Sequence, residues 1–163
     1  MKNIFLVLLG FNLLCFVPRD EVLQGTVNEV IDGNTIELLT GENEIYRIEL
    51  YGIDCPESDQ PYGEEARSFL AQMIKGKKVS AIVEGKNRWG IRQAIVIPKG
   101  KDDPRLLLLA NGLAWAWEKN APADLETIGR IAKSKGVGLW KDENPVPPWT
   151  YRRQQTMLTP KAR

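Results

Sequence analysis

Eight residues, YGIDCPES at positions 51–58, hold two carboxylates, Asp54 and Glu57, one thiol, Cys55, and a proline that forces a turn. They follow IYRIEL, an alternation that reads as a strand, and a second polar turn, IDGNT, lies upstream at 31–35. The chain has no histidine. That excludes Ser-His and Cys-His nucleophiles, His-ligated zinc and His acid–base chemistry. Any chemistry must come from carboxylates, Arg, Tyr, Lys or a metal held by oxygen. Lys and Arg number 22 against 21 Asp and Glu, a net charge of +1. This is not the basic footprint of a strong nucleic-acid binder, so a site for a polyanion must be local.

The elements that would position these groups can be read from periodicity. At 163 residues the chain suits one domain with one core. VLQGTVNEV, TIELL and IYRIEL form a β-meander, with Thr26, Asn28 and Val30 alternating along its first strand. Asp32-Gly33 marks the first hairpin, because glycine accepts the positive φ of primed turns. Residues 62–76 place Ala66, Phe69, Leu70 and Met73 at helical spacing, with Gly76 as the C-cap. KKVSAIVE and RQAIVIPKG add two strands around a turn containing Gly85 and Gly90. A second helix runs from Pro104 to about Gly112, and a third from Pro122 to Gly136. Five short strands with a helix after the third fit an α+β fold, the partly open five-stranded Greek-key barrel of the OB-fold, with three helices.

The N-terminal run Ile4–Val17 follows Lys2 and resembles a secretory leader, too short for the ~20 residues of a membrane span. Residues 1–24 are assigned to this leader, 25–142 to the barrel domain, and 143–163 to a Pro-rich and then basic tail that should be extended or disordered. Export is expected, with membrane contact only through the leader. Cys15 lies where a lipoprotein would carry its lipidated cysteine, but Leu14 is larger than that motif wants. With one of two cysteines in the leader, Cys55 is expected to be a free thiol.

The ordered series VIDGNTIEL, YGIDCPE, PYGEEA, NRWGI, LLLLANGLAWAW and GLWKDENPVPPWTYR resembles the staphylococcal-nuclease-like, or thermonuclease, family over about residues 25–153. The resemblance implies an OB-fold barrel and calcium-dependent hydrolysis of DNA and RNA phosphodiesters by a carboxylate base and two arginines. Carried over position by position, it assigns metal ligation to Asn34, Asp54 and the backbone carbonyl of Cys55, and the water-activating carboxylate to Glu57. Active members carry Asp where this chain has Asn34. Calcium affinity leans on ligand charge, so any calcium site should be weak. The phosphate-binding arginine position falls on Glu49 and the second arginine position on Ile91. Arg47 is two residues from the first, a displacement of about 6.5 Å along a strand, and Arg92 follows the second on the opposite face.

Plainer readings apply to the same residues. Asp32, Gly33 and Asn34 suit any turn, Asp54 could bond turn amides, the tryptophans suit packing better than base stacking, and Arg152, Arg153, Lys161 and Arg163 read as a solvated tail. The expectation is therefore a monomeric domain with lost or much reduced nuclease activity, binding single-stranded nucleic acid or protein and needing no small-molecule cofactor. The competing readings are an active nuclease with Arg47 and Arg92 as substitute arginines, and an envelope protein whose barrel makes only protein contacts.

Overall fold

The computed structural model describes residues 21–119 and 121–158. Nearly all of the leader, with Cys15, and the tail residues Lys161 and Arg163 lie outside them. Strand β1 (Val22–Val30) pairs antiparallel with β2 (Thr35–Thr40), and β2 with β3 (Ile45–Leu50). The chain then passes through a two-residue strand β4 (Ile53–Asp54) and helix α1 (Gly63–Ile74) before β5 (Lys78–Lys86) and β6 (Arg92–Pro98). β6 runs parallel to β3 and antiparallel to β5, and β5 pairs with β1, which closes the barrel in the order β1-β2-β3-β6-β5. This is the OB-type α+β barrel expected from the periodicity. Strand β1 begins at Val22, so residues 22–24, assigned to the leader, belong to the barrel.

Alternation works where expected in β3, with Ile48 and Leu50 buried inside and Arg47 and Glu49 on the outer face. It fails in β1. A bulge between Val27 and Glu29 breaks the period, so Val27 and Val30 face the core rather than Thr26, Asn28 and Val30 sharing a face. Helix α1 closes one end of the barrel through Ala66, Leu70 and Ile74, each fully buried. Gly76 adopts the left-handed φ of 72° expected after a helix, and its N–H donates to Val27.

Helix α2 (Pro104–Ala110) starts at the N-cap Asp103, whose side chain accepts from the Arg105 N–H. The Arg105 guanidinium is itself buried, paired with Asp103 at 2.6 Å, and donates to the Tyr51 carbonyl. This bond fastens α2 to the chain just ahead of β4. Strand β7 (Trp115–Ala116) then pairs with β4, Asp54 opposite Trp115. These two strands escape sequence reading because each has only two residues. Helix α3 (Ala123–Lys135) ends at Gly136, φ 62°, as expected, and a 3-10 turn spans Gly138–Lys141.

The tail is not extended throughout. Pro148 opens a fourth helix, α4 (Pro148–Leu158), one more than expected. Proline at the first helical position sacrifices only an N–H that has no partner anyway, so the prolines that suggested an extended tail instead start a helix. Trp149 packs edge-on against Trp115 at 5.8 Å between centroids, and Trp115 against Trp140 at 4.4 Å.

Candidate active site

The site lies where the 31–34 turn, β4 and the turn after it meet at the barrel surface. Gly33 does not have the positive φ expected of it. Its role is close approach: a Cβ there would lie 2.6 Å from Cys55 Cβ and 2.8 Å from Ala66 Cβ. The turn thus sits directly on Cys55 and α1. Asp32 Oδ1 accepts from the Asn34 N–H at 2.9 Å, and Asn34 Oδ1 accepts from the Cys55 N–H at 3.1 Å. Asn34 therefore works as a brace between the turn and β4.

Asp54 is buried and Glu57 stands three residues past it, beyond Pro56 and at the mouth. Glu57 begins a tight turn in which its N–H donates to Gln60 Oε1 and its carbonyl accepts from the Gln60 N–H. Gln60 is buried and its Nε2 donates onward to the Val146 carbonyl, which ties the turn to the segment before α4. Sequence reading missed this clamp. A polar residue three past a candidate base was its only sign.

The largest surprise is Arg152. Read as part of a solvated tail, it instead reaches from α4 across 95 and 98 residues of sequence to the two carboxylates. Its two terminal nitrogens donate to Asp54, Nη1 to Oδ1 at 3.2 Å and Nη2 to Oδ2 at 2.7 Å, and Nη1 also bonds Glu57 Oε1 at 2.6 Å. The fork matches the planar geometry that carboxylates accept best. Burial pushes the Asp54 carboxyl up, opposed by Arg152 and abetted by the charges of Glu57 and Asp32. For Arg152 burial works against the charge, but Asp54 and Glu57 outweigh it and hold the guanidinium firmly protonated.

Glu49 occupies the outer face of β3, paired in register with Thr35 on β2 and Gln93 on β6. Asn87 Nδ2 donates to it at 2.7 Å and Gln93 Nε2 at 3.3 Å. Asn87 Oδ1 meanwhile accepts from the N–H groups of Trp89 and Ile91, so one side chain shapes the 87–91 turn and holds Glu49. Burial raises the Glu49 carboxyl above its ordinary value, with Asp32 and Asp54 adding repulsion and the two amide bonds opposing. Ile91 places no charge here. Arg47 lies exposed on the outer face opposite Glu37. Arg92 donates to Glu21 at 2.7 Å and its guanidinium stacks on Tyr46, so it is engaged away from Asp54 and Glu57. The structure brings together Asn34, Asp54, Cys55 and Glu57, and does not bring Arg47 or Arg92 to them.

Cys55 is a free, buried cysteine, as expected. Burial, and then the neighbouring carboxylates, push its thiol well up, so it is a packing group rather than a nucleophile. The nucleases that the sequence resembles are calcium-dependent in general. The donors present do not fit a hard divalent ion as they are arranged. Both Asp54 oxygens and one of Glu57 are bonded to a guanidinium, the Asn34 oxygen is bonded to an amide, and among the described residues no three acidic or sulfur side chains converge on a point.

Comparison with known proteins places this constellation. Residues 47–142 match the family model described as staphylococcal nuclease homologue. A protein of Haemophilus influenzae named as an uncharacterized endonuclease is 32% identical over 151 residues, covering 91% of this chain and 83% of the relative. One of the same name from Escherichia coli is 33% identical over 135 residues, 82% and 87% of the two chains. A protein of Shigella flexneri named micrococcal nuclease is 30% identical over 158 residues, 90% of each. Barrel topology, the Asp54–Glu57 turn and this similarity agree: the chain belongs to the staphylococcal nuclease family.

Proposed function

We propose that this chain is a staphylococcal-nuclease-family domain with lost or much reduced nuclease activity, retained to bind nucleic acid or protein. The observation that carries the reading is Glu49. At the position where the family resemblance calls for a phosphate-binding arginine stands a carboxylate, fixed by Asn87 and Gln93 and felt electrostatically by Asp32 and Asp54. A phosphate approaching Glu57 would meet negative charge where transition-state stabilisation requires positive. Loss of one such electrostatic donor typically raises a barrier by about 2.7–4 kcal/mol. Here two donor positions are vacant of charge or reversed. The reading with Arg92 as a substitute is disfavoured by its pairing with Glu21.

The test is incubation of the purified protein with single-stranded DNA and Ca²⁺, with Glu57→Gln as control. Cleavage should stay at background in both. Robust Ca²⁺-dependent cleavage that Glu57→Gln abolishes would overturn the proposal.

A further inference from the structure

We propose that α4 is a clasp whose Arg152 serves as the built-in cation of the Asp54–Glu57 pair, and that a divalent cation and the docked helix compete for those carboxylates. The proposal concerns the charge state of the site and holds whether or not the chain cuts nucleic acid.

The geometry supplies the occupant. Arg152 spends both terminal nitrogens on Asp54 and Glu57, at 2.6–3.2 Å, so the oxygens a metal would need are taken by a side chain of the same chain. One positive charge faces two negative ones, and Asp32 adds to the negative field at Asp54. A single guanidinium leaves that field under-neutralised. A doubly charged ion would neutralise it better, at the cost of expelling the guanidinium.

The helix that carries Arg152 is weakly held. Pro148 is its only buried residue, and Arg152 through Leu158 are exposed, with Met157 and Leu158 at 76% and 75%. A cleft of about 300 Å³ separates parts of α4, at Tyr151 and Gln154, from Pro56 and Tyr62. Among the described residues, docking also draws on the buried Pro148, on the Trp149–Trp115 edge contact and on Tyr151, whose hydroxyl donates to Asp59 at 2.7 Å. Elements with so little burial open at low free-energy cost. The chain before them is anchored independently, by Gln60 on the Val146 carbonyl, so α4 can release without unseating the Glu57 turn.

The experiment is calorimetric titration of Ca²⁺ into the full chain, wild type against Arg152→Ala, with Arg153→Ala as the charge-matched control. If α4 is docked in ~90% of molecules, the apparent affinity of the wild type is reduced about tenfold. Arg152→Ala should therefore bind Ca²⁺ about tenfold tighter or more, and Arg153→Ala like wild type. Equal affinity in wild type and Arg152→Ala, or no binding in either, overturns the proposal. Amide exchange provides a second readout that needs no variant: α4 amides of the wild type should exchange faster in millimolar Ca²⁺ than in sodium chloride of equal ionic strength, and unchanged exchange counts against the clasp. DNA cleavage by the same proteins separates the two proposals. An Arg152→Ala protein that binds Ca²⁺ tightly and stays inert upholds both. One that cleaves where the wild type does not upholds the clasp and moves the cause of the lost activity from Glu49 to Arg152.

Discussion

The carboxylate half of this site and the positions where the family resemblance calls for arginines, 49 and 91, rest on different parts of the fold. Asp54 sits in β4, paired with β7, with the Asn34 side chain bonded to the next amide and Gly33 packed on the Cys55 and Ala66 side chains. Glu57 is held through its own backbone by Gln60. Position 49, by contrast, is an outward side chain on β3 whose neighbours Ile48 and Leu50 do the packing, and position 91 closes a turn that Asn87 shapes through main-chain bonds. Asp54, buried in β4, cannot be exchanged without disturbing the fold. Outer-face side chains can, so positions 49 and 91 are the parts of the site that the fold protects least.

The largest effect expected from this contrast is a rescue. Glu49→Arg, Ile91→Arg and Asn34→Asp together restore the charge pattern that the family resemblance implies. Aspartate at 34 keeps the oxygen that accepts from the Cys55 N–H, and Glu49 and Ile91 are only half-buried. Folding should therefore cost no more than about 1 kcal/mol per position. Groups that act as a unit are strongly non-additive, so single reversions should do little while the triple variant gains phosphodiester cleavage. Arg152→Ala added to it should raise activity further by freeing Asp54 and Glu57. Cleavage is assayed against wild type, with folding checked by circular dichroism. If the well-folded variants remain inert in saturating Ca²⁺, the two halves of the site are not separable as described.

A smaller effect, on stability instead of activity, probes the other half. Gly33→Ala places a methyl against two Cβ atoms whose positions the backbone sets. Neither can swing away, so the turn must shift, at about 1–3 kcal/mol. Urea unfolding should show a lower midpoint with an unchanged slope. Glu49→Ala, on the outer face of β3, should cost clearly less. If the two variants lose equal stability, position 49 is as deeply built in as position 33.

How much of this was legible follows from the same division. The barrel strands and the first three helices announce themselves through periodicity and end signals such as Pro104, Gly76 and Gly136. The carboxylates were visible because a Pro turn after a strand concentrates them. Arg152 was not, because its partners are 95 and 98 residues away and no local pattern encodes a contact of that range. Pro145, Pro147 and Pro148 read as chain-breaking, yet Pro148 followed by a run without glycine or proline as far as Leu158 is also a helix start. Gly33 was recognised as required but for the wrong reason: what matters is space, not φ.

The smallest effect is a pH dependence that isolates Glu49. Its carboxyl titrates above the ordinary 4.5, chiefly because it is partly buried and secondarily because Asp32 and Asp54 repel its charge. At pH values well below 4.5 it is protonated in folded and unfolded chains alike. As pH rises, the unfolded chain gives up its proton first, the folded chain holds the extra proton, and stability falls until the folded carboxyl also ionises. Asp54 shifts in the same direction from 3.8, whereas Glu29 and Glu64 shift downward and contribute the opposite slope. The net curve of the wild type therefore mixes signs, and the informative quantity is the difference between wild type and Glu49→Gln. Glutamine offers one acceptor oxygen where Asn87 and Gln93 now have two, which adds an offset that does not vary with pH. Against that constant offset, Glu49→Gln should gain stability relative to wild type as pH rises from about 4.5 toward neutrality, measured by urea unfolding at fixed ionic strength. A difference that stays flat across this range would mean that position 49 carries its charge at no cost, and that the outer face of β3 would hold a guanidinium or a carboxylate with equal ease.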